Sequence, residues 1–214
     1  MSARAEFNLS AASGLIAGAV SADGVFFAWR NPPTRLEGST SVTNERGQRL
    51  KMLACQLRTI TGFPTAQEIA ISAHYVSAFG ATPADYTGGT DLSDQAGGTD
   101  AIRRLGADVG PKPHQESVAA TGNVRIATTA ALSHAGSPTI ETHGFARNSY
   151  FELAAASTIQ EGGCDLIWTP SPEGSAHDKG LILQPTTGFI LKFPIALGAT
   201  GTVRAFVEVF WEEA

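Results

Sequence analysis

The strongest constraint in this chain is an alternation of apolar and polar residues with a period of two. Over 202–212, Val203, Ala205, Val207, Val209 and Trp211 fall on one side, and Arg204, Phe206, Glu208, Phe210 and Glu212 on the other. Such a period fits a β-strand, whose successive side chains point to opposite faces. It does not fit an amphipathic helix, whose apolar residues recur every three or four positions. Phe206 and Phe210 are too apolar for a freely solvated face. The last strand is therefore expected to be covered on both sides, by other subunits or by a second sheet of the same domain.

The same pattern recurs upstream. Over 68–79, Ile69, Ile71, Ala73, Tyr75 and Phe79 oppose Glu68, Ser72, His74 and the smaller Ala70, as in a half-buried strand. Pro64, Thr65 and Glu68 resemble a helix start, but the alternation favours a turn at 65–67 followed by a strand. Residues 50–61 behave similarly, and 25–29, 123–129, 150–155 and 164–168 are further strand candidates bounded by turn-forming residues. Near the C-terminus, 181–184 and 189–195 flank the turn Pro185-Thr186-Thr187-Gly188 and read as a hairpin, and 198–201 turns the chain into the last strand. Short turns between consecutive strands exclude a parallel βαβ arrangement.

Eight or more short strands predict an all-β fold, a single antiparallel β-sandwich for which the jelly roll is a fitting arrangement. No linker or shift of composition divides 1–214, so one domain is expected. Residues 1–20 read as an extended arm and 82–113 as a long Gly/Asp-rich loop, with 136–144 a shorter one.

Composition removes several classes of function. The net charge is −5 and only 16% of residues are charged, so the basic footprint of a nucleic-acid binder is missing. At 43% hydrophobic, the chain has enough apolar material to bury a core. No run approaches the roughly 20 apolar residues of a membrane span. The apolar stretch 14–20 follows Glu6, Asn8, Ser10 and Ser13, which makes a poor secretory signal. Cys55 and Cys164 cannot make a disulfide framework. Cys55, within Leu53-Ala54-Cys55-Gln56-Leu57, reads as a small buried hydrophobe, with a bond to Cys164 as the competing reading.

Few residues announce chemistry. Gly88-Gly89-Thr90-Asp91 recurs as Gly97-Gly98-Thr99-Asp100, a spacing known from calcium-binding β-rolls. Two copies fall short of a stable stack, so turn chemistry is the preferred explanation. His74, His114, His134, His143 and His177 show no close metal spacing, and no nucleophile elbow, phosphate loop or dinucleotide fingerprint occurs. Asp165 and Glu173 could meet only through the fold. No catalytic, cofactor-binding or metal residue is assigned, and the chain is read as a non-enzyme without a cofactor. Trp29, Trp168, Trp211, Tyr75, Tyr86 and Tyr150 could stack on a sugar. Tyr86 is the best exposed candidate, because it lies in the Gly-rich loop with Asp91 and Asp100. Phe206 and Phe210 are the candidate interface residues.

A resemblance then emerges. The run Phe63-Pro64-Thr65-Ala66-Gln67-Glu68-Ile69 leads to Ser77-Ala78-Phe79 and Thr87-Gly88-Gly89-Thr90. It is followed downstream by Val124-Arg125-Ile126-Ala127-Thr128-Thr129-Ala130-Ala131-Leu132. The chain closes with Ile195-Ala196-Leu197-Gly198-Ala199-Thr200-Gly201-Thr202-Val203-Arg204 and Val207-Glu208-Val209-Phe210-Trp211-Glu212. Together, over about 50–214, these segments resemble a group of tailed-bacteriophage virion proteins. The resemblance implies a structural component of the particle, such as a capsid decoration (cement) protein made in the host cytoplasm. Its implied partners are the major capsid protein or other virion subunits, with homo-oligomers and with neither nucleic acid nor membrane. A glycan-binding host-recognition module at a fibre or head surface is the alternative.

Overall fold

The computed structural model describes residues 6–31, 47–79, 86–92, 102–105, 124–134, 136–154, 162–170 and 180–213. In chain order the strands are β1 (Glu6–Ala12), β2 (Ile16–Ala17), β3 (Gly24–Arg30), β4 (Gln48–Thr61), β5 (Gln67–Ala78), β6 (Tyr86–Thr87), β7 (Thr90–Asp91) and β8 (Ile102–Leu105). They continue as β9 (Val124–Ile126), β10 (Ser133–His134), β11 (Thr139–Ile140), β12 (Ala146–Glu152), β13 (Gly163–Trp168), β14 (Leu181–Leu183), β15 (Gly188–Phe193) and β16 (Thr202–Glu213). No helix occurs among the described residues.

Two antiparallel sheets pack against each other, as the alternation requires. The first runs β13-β4-β16-β1-β8, with β14 also on β4 and β2 on β16. The second runs β11-β5-β15-β3-β9-β7, with β12 also on β5. A short β10-β6 pair stands apart. The chain is an antiparallel β-sandwich whose buried side chains form one cluster drawn from both sheets.

The periodicity decides what each strand buries. Val203, Ala205, Val207, Val209 and Trp211 all turn inward, with Leu9 opposite Val209 on β1 and Leu53 opposite it on β4. From the second sheet, Trp29 meets Trp211 edge to face, with centroids 4.6 Å apart and planes at 72°. Phe7 stacks on Trp211 at 5.3 Å and Phe189 on Trp29 at 6.0 Å. Offset and edge-to-face ring contacts of this kind add to the area that the rings bury. The buried Trp29 indole N–H donates to Gln48 Oε1 at 2.9 Å, which avoids the cost of an unpaired polar group. At Gly188 the two strands lie so close that any Cβ would strike the Trp29 carbonyl.

Several sequence expectations need correction. Residues 181–184 and 189–195 do not form a hairpin: β14 pairs with β4 in the first sheet, while β15 pairs with β3 and β5 in the second. The turn between them, with Thr186 at φ 64°, carries the chain across the sandwich. Asn31 anchors it. Its backbone N–H donates to the Thr187 carbonyl, its own carbonyl accepts from the Thr186 N–H, and its side-chain amide donates to the Leu183 carbonyl. The 198–201 turn crosses in the same way, from β15 to β16.

The arm expected over 1–20 is, from Glu6 onward, part of the first sheet. β1 lies between β16 and β8, because Phe7 and Leu9 bury their side chains completely. The loop expected over 82–113 contains β6, β7 and β8. Tyr86 and Leu92 tie it down by entering the core cluster. Residues 82–85, 93–101 and 106–113 of that loop lie outside the described residues.

Trp211→Ala should cost about 3–5 kcal/mol, since it opens a cavity where the two sheets meet. Urea unfolding followed by circular dichroism measures this, and a loss below about 1 kcal/mol would remove the indole pair from its central role.

Candidate interaction surfaces

The outward half of the β16 pattern lacks the full cover that the sequence predicts. Phe206 is 41% exposed and Phe210 is partly exposed. Both lie on the outer face of the first sheet, away from the second. Strand register places Gln56, Phe206 and Ala12 side by side, with Ala54, Glu208 and Ser10 in the next row on that face. The small side chains beside Phe206 leave a groove of about 570 Å³. The Arg204 guanidinium lies over the Phe206 ring, 5.4 Å from its centroid, and its Nε–H donates to the Ser13 carbonyl at 3.1 Å. Further along the face, Glu212 takes Arg49 at 2.6 Å and Lys51 at 3.3 Å.

β12 reverses the usual order of a surface strand. Phe151 and, just past the end of the strand, Leu153 are 65% and 62% exposed, whereas Glu152 between them is buried. Glu152 Oε2 accepts from the Thr59 hydroxyl at 3.0 Å, and that hydroxyl also meets the Tyr150 phenol. Burial pushes the Tyr150 phenol well above its ordinary range, the Thr59 hydrogen bond acting against it. An inward carboxylate on an edge strand discourages unwanted strand addition. The strand also starts at Ala146 rather than 150, and sequence reasoning missed the inversion because alternation alone would place Phe151 inside.

The residues nominated for ligand contact fare differently. Tyr86 is not exposed: it is 2% accessible, packed edge-on against Phe79 and His134. Its apolar ring finds cover that a Gly-rich context did not suggest. Asp91 is held by Arg125 at 3.4 Å, and Arg125 also donates to the Gly88 carbonyl at 2.9 Å. Gly88 and Gly89 have φ of 80° and 62°, and at Gly89 a Cβ would strike the Ile126 carbonyl. In the first Gly-Gly-Thr-Asp copy Gly88 and Gly89 therefore make the bend, and Thr90 and Asp91 form β7 against β9. The second, with Asp100, lies outside the described residues, as do Glu173, His114 and His177.

Trp29 and Trp211 are core residues, and Trp168 packs on Phe145 at 5.5 Å. Asp165 is exposed beside Arg58 at 3.7 Å. No group of His, Cys, Asp and Glu among the described residues is placed to hold a metal ion. No helix among them is long and apolar enough to cross a membrane.

His74 and Ser72 belong to the outer face of the second sheet, which the sequence predicts to be half open. Both are buried, because the stretch after β11 runs along β5: Glu141 N–H donates to the Tyr75 carbonyl and Phe145 N–H to the Ala73 carbonyl. His74 Nδ1 sits 2.9 Å from the Glu141 carbonyl and Nε2 3.0 Å from Ser72 Oγ. The carbonyl can only accept, so Nδ1 carries the proton and Nε2 accepts from Ser72.

Burial lowers the His74 pKa from 6.5, the Glu141 hydrogen bond opposes this, and the Lys192 ammonium, itself 2.8 Å from Asp23, lowers it further. The unfolded chain then takes up the proton before the folded one does. Stability is fully present above about pH 6.5 and is lost as pH falls below it. Urea midpoints between pH 7.5 and 5 should drop further for the wild type than for His74→Gln, and equal drops would remove His74 as the cause.

Cys55 and Cys164 are both unbonded and buried. They stand diagonally on neighbouring strands, since Cys164 faces Leu57 and Leu166 faces Cys55. Burial raises the Cys55 thiol well above its usual range, and burial with the nearby Asp165 charge pushes Cys164 up to about 11. Neither is a ready thiolate at neutral pH. An aromatic disulfide reagent should leave both unlabelled in the native protein and label two thiols per chain in denaturant. Rapid native labelling would contradict this packing.

No protein-family model, curated protein or solved structure matches this chain.

Proposed function

We propose that the chain is a non-enzymatic structural subunit of a tailed-bacteriophage virion, acting as a capsid decoration protein that docks on the head shell and stabilises it. The observation that carries this reading is apolar surface held out on strands: Phe151, Ile167 and Phe206 are exposed, as is Leu153 just beyond the end of β12. Side chains on strands have fixed positions, so docking them loses less entropy than ordering a loop. The virion-protein resemblance over 50–214 points the same way. Its partners are then the major capsid protein or other virion subunits, and its place is the particle. An interface of about 1,600 Å², repeated over a lattice, supplies additive stabilisation.

The finer arrangement we propose for the sandwich is a jelly roll, and the pairing order supports it. β1 with β16, β3 with β15, β4 with β13 and β5 with β12 pair as rungs of one long antiparallel hairpin. Folding that hairpin over sets the row β13-β4-β16-β1 against β12-β5-β15-β3. Jelly rolls serve in viral capsid and lectin domains alike. The step from fold to role is therefore an analogy, and the exposed strands supply its physical part. A glycan-binding role would have to use residues other than the buried Tyr86.

The test is co-sedimentation with capsids assembled without this protein. Saturable binding and a raised capsid dissociation temperature are expected, both lost in a folded Phe151→Asp/Leu153→Asp variant. Absence from purified virions together with no capsid binding would overturn the proposal, and saturable binding to host cells instead would favour the glycan module.

A further inference from the structure

We propose that the outer face of the first sheet is a homodimer surface, with a two-fold axis passing over Phe206. On β16, Arg204, Phe206 and Glu208 occupy alternate positions of that face. Arg204 and Glu208 therefore stand about 7 Å to either side of Phe206. Of the two-fold arrangements that align the strands, one sets β16 of the second copy antiparallel to the first and the other sets it parallel.

The antiparallel arrangement brings Phe206 onto Phe206, and Arg204 of each copy onto Glu208 of the other. The parallel arrangement sets Arg204 against Arg204 and Glu208 against Glu208, which repel. The order of charges along one strand thus selects the antiparallel pair. It also makes the patch complementary to itself, as an isologous interface requires.

Shape agrees with charge. The groove bordered by Ser10, Ala12 and Ala54 lies beside Phe206 and has room for the ring of the opposing copy. On the flank, Asp165 has Arg58 beside it, so like charge does not build up in the Phe206 row. With the axis over Phe206, β16 overlaps its copy over 202–210, about 30 Å, with β4 beside it along that length. The face is therefore smaller than the ~800 Å² per partner of a standard interface and depends on the order of its charges. The pairing concerns the protein alone in solution and does not rest on the virion reading.

Sedimentation equilibrium of the purified full chain tests the pairing without any capsid. The wild type is expected to dimerise. Arg204→Glu and Glu208→Arg should each weaken the dimer by about tenfold or more, since each places like charges together twice. An equimolar mixture of the two variants should recover the dimer, because 204 of one then opposes 208 of the other with opposite sign. Arg204→Glu also loses the bond to the Ser13 carbonyl, so melting curves must accompany it. Phe206→Cys supplies an independent arm: a short bis-maleimide should link two copies through this position, the native thiols being buried. A wild type that stays monomeric overturns the proposal. So does a dimer indifferent to both charge reversals, or one that Phe206→Cys cannot cross-link.

Discussion

The pairing of β1 with β16, from Glu6 opposite Glu212 to Ala12 opposite Phe206, is the constraint on which the rest of the structure depends. It joins two ends of the chain nearly two hundred residues apart. That contact brings Phe7 onto Trp211, and Trp211 in turn meets Trp29 of the other sheet. With the ends joined, β16 lies between β1 and β4, so its inward half sits in the middle of the core. Its outward half sits in the middle of the first sheet's outer face.

The two sheets treat their outer faces differently. On the second sheet, Ala28, Ser72, His74, Val76 and Ile190 are all buried, and the stretch after β11 is pinned to β5 by main-chain hydrogen bonds and by His74. On the first sheet, Phe206, Glu208 and Ile167 remain exposed. The second sheet thus has a buried outer face, with the 141–145 stretch running along β5, while the first keeps apolar side chains exposed on its own. On the edge strand β12 Phe151 faces out, as does Leu153 just past its end, while Glu152 points inward, an arrangement that discourages strand addition.

Legibility varied with how local the governing interaction was. The strands at Leu53, Ile71, Phe189 and Val207 could be read directly, because alternation is a property of neighbouring residues. Phe206 and Phe210 could be singled out as outward-facing for the same reason. Tyr86 could not be placed: its burial depends on Phe79 and His134, which arrive from other segments. Glu152 was equally hidden, since its partner Thr59 lies on β4. Nothing near Pro185 reveals that its turn spans two sheets, because the anchor is Asn31.

What the sequence by itself determined is the class of structure: period-two alternation, frequent turn residues and sparse charge leave little but an antiparallel sandwich. Only the tertiary structure decided which strands became neighbours. It placed β14 and β15 in different sheets, drew 6–12 into the first sheet, and left Phe206 in the open. The physical reason is that alternation fixes which face of a strand is buried but carries no information about its edges. Every strand offers the same row of N–H and C=O groups to any partner. The choice among partners was made by side chains meeting across the core, from residues far apart in the chain.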